Sequence, residues 1–340
     1  MSEDTPIQFG VIGAGRIGKL HAENLVTRVA GAEVVAIADV DVRAAEQTAA
    51  RLKIPRATRD YAEILADAGV QAVAICSSTD THASIIEQAA AAGKHIFCEK
   101  PIDFDLAKID QALQAVEKVG VKLQIGFNRR FDPNFCKVRE LVAAGRIGDP
   151  HILRITSRDP APPPLDYVRV SGGIFLDMTI HDFDMARFLM ASEVSKIFVA
   201  AGVMVDPEIG AAGDVDTAVI TLWFENGAIG TIDNSRQAVY GYDQRVEMFG
   251  SQGMVRVGNN TPDTHEYSSR EGVVSAKPLY FFLERYTESF VAEMRAFVTS
   301  IRDDSPPPVS GIDGRIPVVM GLAARKSYEE NRPVSLGEVG

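Results

Sequence analysis

The stretch GVIGAGRIG, Gly10 to Gly18, constrains this chain more than any other part of it. It overlaps the end of an apolar run, Ile7 to Ile12, and opens an amphipathic segment, so Gly13, Gly15 and Gly18 stand where a strand turns into a helix. GxGxxG spacing is weak evidence alone, but in this context each glycine has a physical task. Gly13 permits the tight turn, Gly15 lets the backbone approach a pyrophosphate, and Gly18 lets helix and strand pack closely. The N–H groups at the start of the helix, around Arg16 and Ile17, then attract the phosphates of a dinucleotide.

Such a turn predicts a Rossmann-type, doubly wound α/β domain, and the first 130 residues keep the required rhythm. Strands are expected at Ile7 to Ile12, Val34 to Ala38, Ala72 to Cys76, Ile96 to Cys98 and Leu123 to Phe127. Helices are expected at Ile17 to Ala30, Arg43 to Leu52, Ala83 to Ala92 and Leu106 to Val119, with Gly31, Gly93 and Gly120 as left-handed stops after three of them. Asp39 lies 21 residues after Gly18 at the end of the second strand, where a carboxylate accepts hydrogen bonds from the adenosine ribose. That favours NAD over NADP, whose extra phosphate the charge repels; Arg43 nearby leaves dual use open. The competing reading is a glycine turn that binds nothing, with Asp39 as a helix cap.

After about residue 150 strands follow one another without long helices between them. His151 to Ser157, Lys196 to Val203, Ala218 to Phe224, Ala228 to Asp233, Arg245 to Phe249 and Met254 to Val257 fit an open antiparallel sheet, with Asn226-Gly227 as a hairpin turn. One helix, holding GGIFLDMTIHDFDMARF (Gly172 to Phe188), interrupts them. The expected division is a dinucleotide domain over 1–130 and an α+β domain over 131–340, whose C-terminal helix packs back on the first. Two proline clusters, DPAPPP at Asp159 to Pro164 and PPP at Pro306 to Pro308, read as stiff connectors.

A length of 340 residues, 46% hydrophobic, is ordinary for a two-domain globular protein. The net charge of −11, with no basic patch to offset it, disfavours nucleic acid and anionic membrane as partners. No apolar run reaches the roughly 20 residues of a membrane span. Cys76, Cys98 and Cys136 form no CxxC, and the acidic start MSEDTPIQFG lacks a signal-peptide pattern, so a cytoplasmic location is expected.

The carboxyl ends of the later strands should face the same crevice as the glycine turn. They carry CSSTDTH (Cys76 to His82) and CEKP (Cys98 to Pro101). Thr79 and His82 either line the cofactor or cap the next helix; Glu99 contacts the nicotinamide ribose or is a surface carboxylate. Lys100, at a strand end in that crevice, is placed to hydrogen-bond a substrate hydroxyl and stabilise its developing alkoxide. In the second domain Asp177, His181 and Asp184 form one stripe within about 60° of a helix. His181 is suited to accept the hydroxyl proton, with Asp177 about 6 Å away on the same face. A structural salt link or a metal pair are the alternatives. His21, His82, His95, His151 and His265 show no ligand spacing, so no metal is expected.

In order and spacing, GVIGAGRIG, CEKP and GGIFLDMTIHDFDMARF resemble the Gfo/Idh/MocA oxidoreductases, over nearly the whole chain. EKPID at Glu99 to Asp103, QIGFNRRFDP at Gln124 to Pro133, SRDP at Ser157 to Pro160 and AVYGYDQR at Ala238 to Arg245 are most similar to the family's inositol 2-dehydrogenase branch. The resemblance implies NAD-dependent oxidation of a ring hydroxyl of a polyol to a ketone, with Lys100, Asp177 and His181 catalytic. It implies that Asn128, Arg129, Arg158, Tyr240 and Tyr286 line the polyol pocket with Asp177 and His181; for the two tyrosines, packing on the sheet is the alternative. It also implies a homotetramer joined through the open sheet. The chain departs from the family at SSTDTH, where many relatives carry a proline near the start of the loop; Ser77 stays a cofactor candidate. A pyranose sugar is the alternative substrate, and a dinucleotide- and sugar-binding regulator the alternative function.

Overall fold

A computed structural model describes residues 5–340, which form two units. The first comprises the chain up to Asn128 and returns with Glu288–Ile316; the second comprises Arg129–Thr287 and Pro317–Gly340. The second unit is therefore discontinuous, unlike the uninterrupted 131–340 of the sequence-based expectation.

In the first unit strands β1 (Ile7–Ile12), β2 (Ala32–Ala38), β3 (Arg56–Thr58), β4 (Ala72–Ile75), β5 (His95–Cys98) and β6 (Leu123–Ile125) form one sheet in the order β3-β2-β1-β4-β5-β6. Every pairing in it is parallel. The order reverses between β1 and β4, and that switch point opens a crevice at the carboxyl ends of the strands. Helices α1 (Arg16–Thr27), α2 (Val42–Leu52), α3 (Ala62–Ala66), α4 (Thr79–Ala91) and α5 (Leu106–Val119) supply the crossovers. Asp41 and Asp105 cap α2 and α5 by accepting backbone N–H groups, and Gly31, Gly93 and Gly120 are left-handed as expected. The short β3 and α3 were not legible as periodic runs: at three and five residues they are too brief to show a period.

The return segment explains how this sheet is closed on one side. Val291, Met294, Phe297, Val298 and Ile301, at helical spacing, pack with Phe9, Val11, Leu25, Ile37 and Phe97 in one hydrophobic core. The Phe297 ring meets Phe9 and Phe97 at centroid distances of 6.1 and 6.2 Å, and truncating a ring so fully buried costs about 3–5 kcal/mol.

The second unit holds α6 (Pro133–Ala143), β7 (Pro150–Arg158), α7 (Leu165–Val168), α8 (Gly173–Asp177), α9 (Thr179–Met190), β8 (Val194–Gly202), α10 (Pro207–Ala211), β9 (Thr217–Phe224), β10 (Ile229–Ser235), β11 (Asp243–Gly250) and β12 (Gly253–Val257). The strands order as β12-β11-β7-β10-β9-β8, with a short edge strand at Val334–Ser335. The sheet is not wholly antiparallel: β7 and β10 run parallel, and the chain passes between them through the helical excursion and the antiparallel strands β8 and β9. Its strands alternate. Leu153, Ile155, Ser157, Ile232 and Asn234 are buried, whereas Arg154, Val219, Ile229, Thr231 and Phe249 lie on the open face.

Candidate active site

In the first unit the glycine turn is built as its spacing requires. Gly13 has φ +102°, and a Cβ there would stand 2.5 Å from the Cys76 carbonyl oxygen; at Gly18 a Cβ would meet Gly13 O at 1.9 Å. Gly15 is exposed with no atom within 4 Å of such a Cβ, so the cradle is open only on its outer side, above the N-terminus of α1. Arg16 and Ile17 begin that helix. Asp39 accepts the Ala14 N–H at 2.6 Å and the Asp41 N–H at 2.8 Å, which ties the end of β2 to the turn. A carboxylate has about four lone-pair sites, so it can still accept ribose hydroxyls. These residues fit a dinucleotide.

The loop after β4 is braced from inside. Ser77 Oγ pairs with Thr81 Oγ1 at 2.7 Å, and half-buried Thr79 opens α4. His82 departs from expectation. It is 2% exposed, and its ring nitrogens face two backbone carbonyls, Nδ1 to Pro101 at 2.8 Å and Nε2 to Ser77 at 3.0 Å. Burial lowers its pKa against the pull of those carbonyls. It clamps the loops after β4 and β5 together and does not line the cofactor surface.

Glu99 and Lys100 directly follow β5, half-buried, and Lys100 is joined to Pro101 by a cis bond. One Glu99 oxygen lies 2.7 Å from His21 Nε2, and the other accepts the Lys100 N–H at 3.3 Å. Asn128, just after β6, is 4% exposed with its Nδ2 lacking a hydrogen-bond partner, a buried donor suited to a hydroxyl.

In the second unit the helix expected over Gly172 to Phe188 is broken. Gly172 and Gly173 are left-handed at φ +84° and +78°, α8 ends at Asp177, and α9 begins after Met178. Asp177 and His181 are thus not four residues apart on one continuous helix. Asp177 instead accepts the Tyr167 hydroxyl at 2.8 Å and Arg236 Nη1 at 3.0 Å. Of the twelve residues of α9 only His181 and Phe188 are not buried. Asp184 leaves the expected stripe: it is buried and grips Arg130 through both oxygens at 2.6 to 3.0 Å.

Sequence reasoning missed Arg236 and Tyr167, which no local motif marks, and gave Asp159, which stands in SRDP and DPAPPP, no role of its own. Arg236 is 2% exposed, lies 3.6 Å from Asp159, and its Nε and Nη2 have no hydrogen-bond partner. Removal from water raises the Asp159 carboxyl, Arg236 opposes and Asp177 adds to the rise, and the group is pushed up to about 6.

Four expected pocket residues have other partners within this unit. Arg129 is buried; its Nη1 donates to Asp182 on α9 at 2.6 Å, its Nη2 to Tyr242 at 3.3 Å, and it stands 5.6 Å over the Tyr286 ring. Tyr286 is 2% exposed, edge-on to Tyr242 at 6.0 Å, with its pKa raised by burial; it is core packing. Arg158 projects from the open face of the sheet, where it pairs with Asp233 and donates from Nη1 to the Tyr240 hydroxyl oxygen at 3.2 Å. Its neighbour Ser157 and the paired Asn234 point the other way, toward α9, since Asn234 contacts Thr179 and Asp182. Strand parity therefore puts Arg158 on the face opposite α9, and Tyr240, in the turn before β11, is held there by Arg158 and Asp243.

Comparison with known proteins followed the same division. Residues 7–127 match the oxidoreductase family model with the NAD-binding Rossmann fold, and residues 135–256 match the GFO/IDH/MocA C-terminal domain. The chain is 52% identical to a myo-inositol 2-dehydrogenase of Thermotoga maritima, over 98% of this chain and 99% of that protein. It is 46% identical to an inositol 2-dehydrogenase of Rhizobium meliloti, over 97% and 99%. Among solved structures, scyllo-inositol dehydrogenase from Lactobacillus casei with bound NAD(H) and scyllo-inositol superposes with TM-score 0.92 at 30% identity, covering 98% of this chain and 100% of that one.

Proposed function

Because the chain belongs to the Gfo/Idh/MocA family of NAD-binding oxidoreductases, we propose that it oxidises a secondary hydroxyl of an inositol, myo-inositol foremost and scyllo-inositol next, to the inosose. The observation that carries the reading is His181. It is the one ionisable side chain that α9 leaves uncovered, and it follows an Asp177 whose carboxylate is already anchored by Tyr167 and Arg236.

Oxidation removes a hydride from the carbinol carbon and a proton from its hydroxyl. NAD, when bound, supplies the hydride acceptor. Lys100 donates a hydrogen bond to the hydroxyl oxygen and stabilises the negative charge that grows there. His181 takes the hydroxyl proton, and Asp177 accepts a hydrogen bond from a neighbouring hydroxyl and orients the ring. Asn128 supplies a donor to the polyol. Gly13, Gly15, Arg16, Ile17 and Gly18 hold the pyrophosphate, Asp39 the adenosine ribose, and Ser77, Thr79 and Glu99 the nicotinamide half.

The open face of the second unit's sheet exposes Val219, Ile229, Phe249 and Met254 by 52, 44, 45 and 48%, apolar area that association of copies would cover; a homotetramer is the proposed assembly. No helix among the described residues is long and apolar enough to cross a membrane, and the three cysteines are free, which suits the reducing cytoplasm.

The test is absorbance of reduced nicotinamide with NAD and a panel of myo-inositol, scyllo-inositol, D-chiro-inositol, glucose and its enantiomer, with and without chelator. Reduction on an inositol that survives the chelator is expected. Reduction on a pyranose alone would replace the substrate, and loss on chelation would replace the lysine and histidine mechanism.

A further inference from the structure

Within the first unit three ionisable side chains meet: His21 on α1, Glu99 at the end of β5, and Glu293 on the return helix over Thr287–Arg302. His21 Nε2 is 2.7 Å from Glu99 Oε1 and 3.9 Å from Glu293 Oε1. The His21 and Glu293 side chains are wholly buried, and Glu99 is 13% exposed. Both Glu293 oxygens and His21 Nδ1 lack a hydrogen-bond partner, as do the nearby Ser289 Oγ and the Oε1 of Gln124, whose amide donates to the Glu293 carbonyl.

The His21 ring nitrogen needs one carboxylate partner, and Glu99 supplies it. A second, buried with both oxygens unpaired, is costly as an anion. Burial, and then the charge of Glu99, raise the Glu293 carboxyl well above its ordinary range. Among titratable groups, Glu293 faces His21 from α1, Glu99 from β5 and Cys76 from the end of β4; burial holds the Cys76 thiol well above its usual value, so it stays neutral.

We propose that His21 and Glu293 are positioning residues for Glu99, linking the return helix through α1 to the carboxylate that lies against the bound dinucleotide. The inference rests on the reading above that Glu99 contacts the cofactor. While Glu293 is neutral, the ring N–H of His21 belongs to Glu99. When Glu293 loses its proton to solvent, the new anion competes for that N–H and weakens its bond to Glu99. His21 is the sixth residue of the helix that starts at the glycine turn, and its ring is held edge-on by Phe97 at 5.0 Å and Phe290 at 5.8 Å, so it cannot follow Glu99. Because Glu99 also accepts the Lys100 N–H, its displacement is felt by the lysine assigned to polarise the substrate.

The test is the NAD dissociation constant measured across neutral and alkaline pH, with circular dichroism to confirm folding. His21→Leu should weaken binding about tenfold, as expected for a lost hydrogen bond to a charged group. His21→Gln, whose amide still donates, should recover part of it. The parent affinity should fall on the alkaline side, that fall should vanish in Glu293→Gln, and it should persist in Cys76→Ala. A folded His21→Leu with parental affinity, a fall that survives Glu293→Gln, or one that disappears in Cys76→Ala would overturn the proposal. So would stoichiometric zinc or manganese in the purified protein that His21→Leu abolishes, since the three groups would then be ligands. Glu99→Gln separates the two levels. Unchanged NAD affinity there refutes contact between Glu99 and the cofactor; a loss there with none in His21→Leu refutes the positioning role alone.

Discussion

Arg129→Met gives a sharp test of how the second unit is held together. The guanidinium is 5% exposed as part of its residue and meets an Asp182 carboxylate that is completely buried, at 2.6 Å. Methionine keeps the stem and removes the charge, leaving Asp182 as a buried anion. Taking one partner from such a pair costs about 3–5 kcal/mol. Asp182 keeps a hydrogen bond from Asn234 Nδ2 at 2.9 Å, which sets the expected loss at the lower end, about 3 kcal/mol. Asp182→Asn in the same chain removes the stranded charge, so the double variant should be more stable than the sum of the two single changes by about 2 kcal/mol. Trp223 is the only tryptophan and sits on β9, so its fluorescence during guanidinium unfolding reports this unit specifically. Parental stability in Arg129→Met, together with a tenfold or greater rise in KM for inositol, would refute the reasoning and return Arg129 to the substrate pocket.

Three other outcomes follow from the same geometry. Lys100→Ala and His181→Ala should each lower kcat by about 100-fold or more with NAD affinity nearly kept, and weakened NAD binding with normal turnover at saturation would remove them from the chemistry. Asp39→Ala should raise KM for NAD about tenfold and relax discrimination against NADP, since it deletes both the ribose acceptor and the anchor of the Ala14 N–H; an unchanged cofactor preference in steady-state assays would take Asp39 off the ribose. Asp159 holds its proton up to about pH 6 in the folded chain but only to about 3.8 when unfolded, so native stability falls as pH rises through that interval. Asp159→Asn stays neutral and should therefore be more stable than the parent above pH 6, by up to about 3 kcal/mol, with the gain gone at strongly acid pH; equal unfolding midpoints in mildly alkaline buffer would show that Asp159 is not destabilised by its surroundings.

The parts of this protein legible in its sequence are those whose physics is local. A glycine spacing after an apolar run specifies a strand, a turn and a helix because backbone conformation and close approach are decided within a few residues. The position of Asp39 beside the turn was readable for the same reason, being set by the length of one βα unit. Helix α6 was not expected from the sequence, although the Asp132 cap and Pro133 at its first position are local signals of a helix start.

What only the folded chain decides is which partner each polar group finds. Arg129 and Arg158 share a charge and a motif resemblance. One is buried against Asp182 and the other stands on the open face, because side-chain direction along a strand or turn depends on register against strands more than 50 residues away. Asp184 looked equivalent to His181 until α9 was seen to be covered on nearly every side. His21, Glu99 and Glu293 come from positions 272 residues apart, and no spacing rule connects them. Local patterns fix conformation at short range; the ionisation and pairing of a buried group depend on the whole surrounding volume, which exists only once the chain has closed around it.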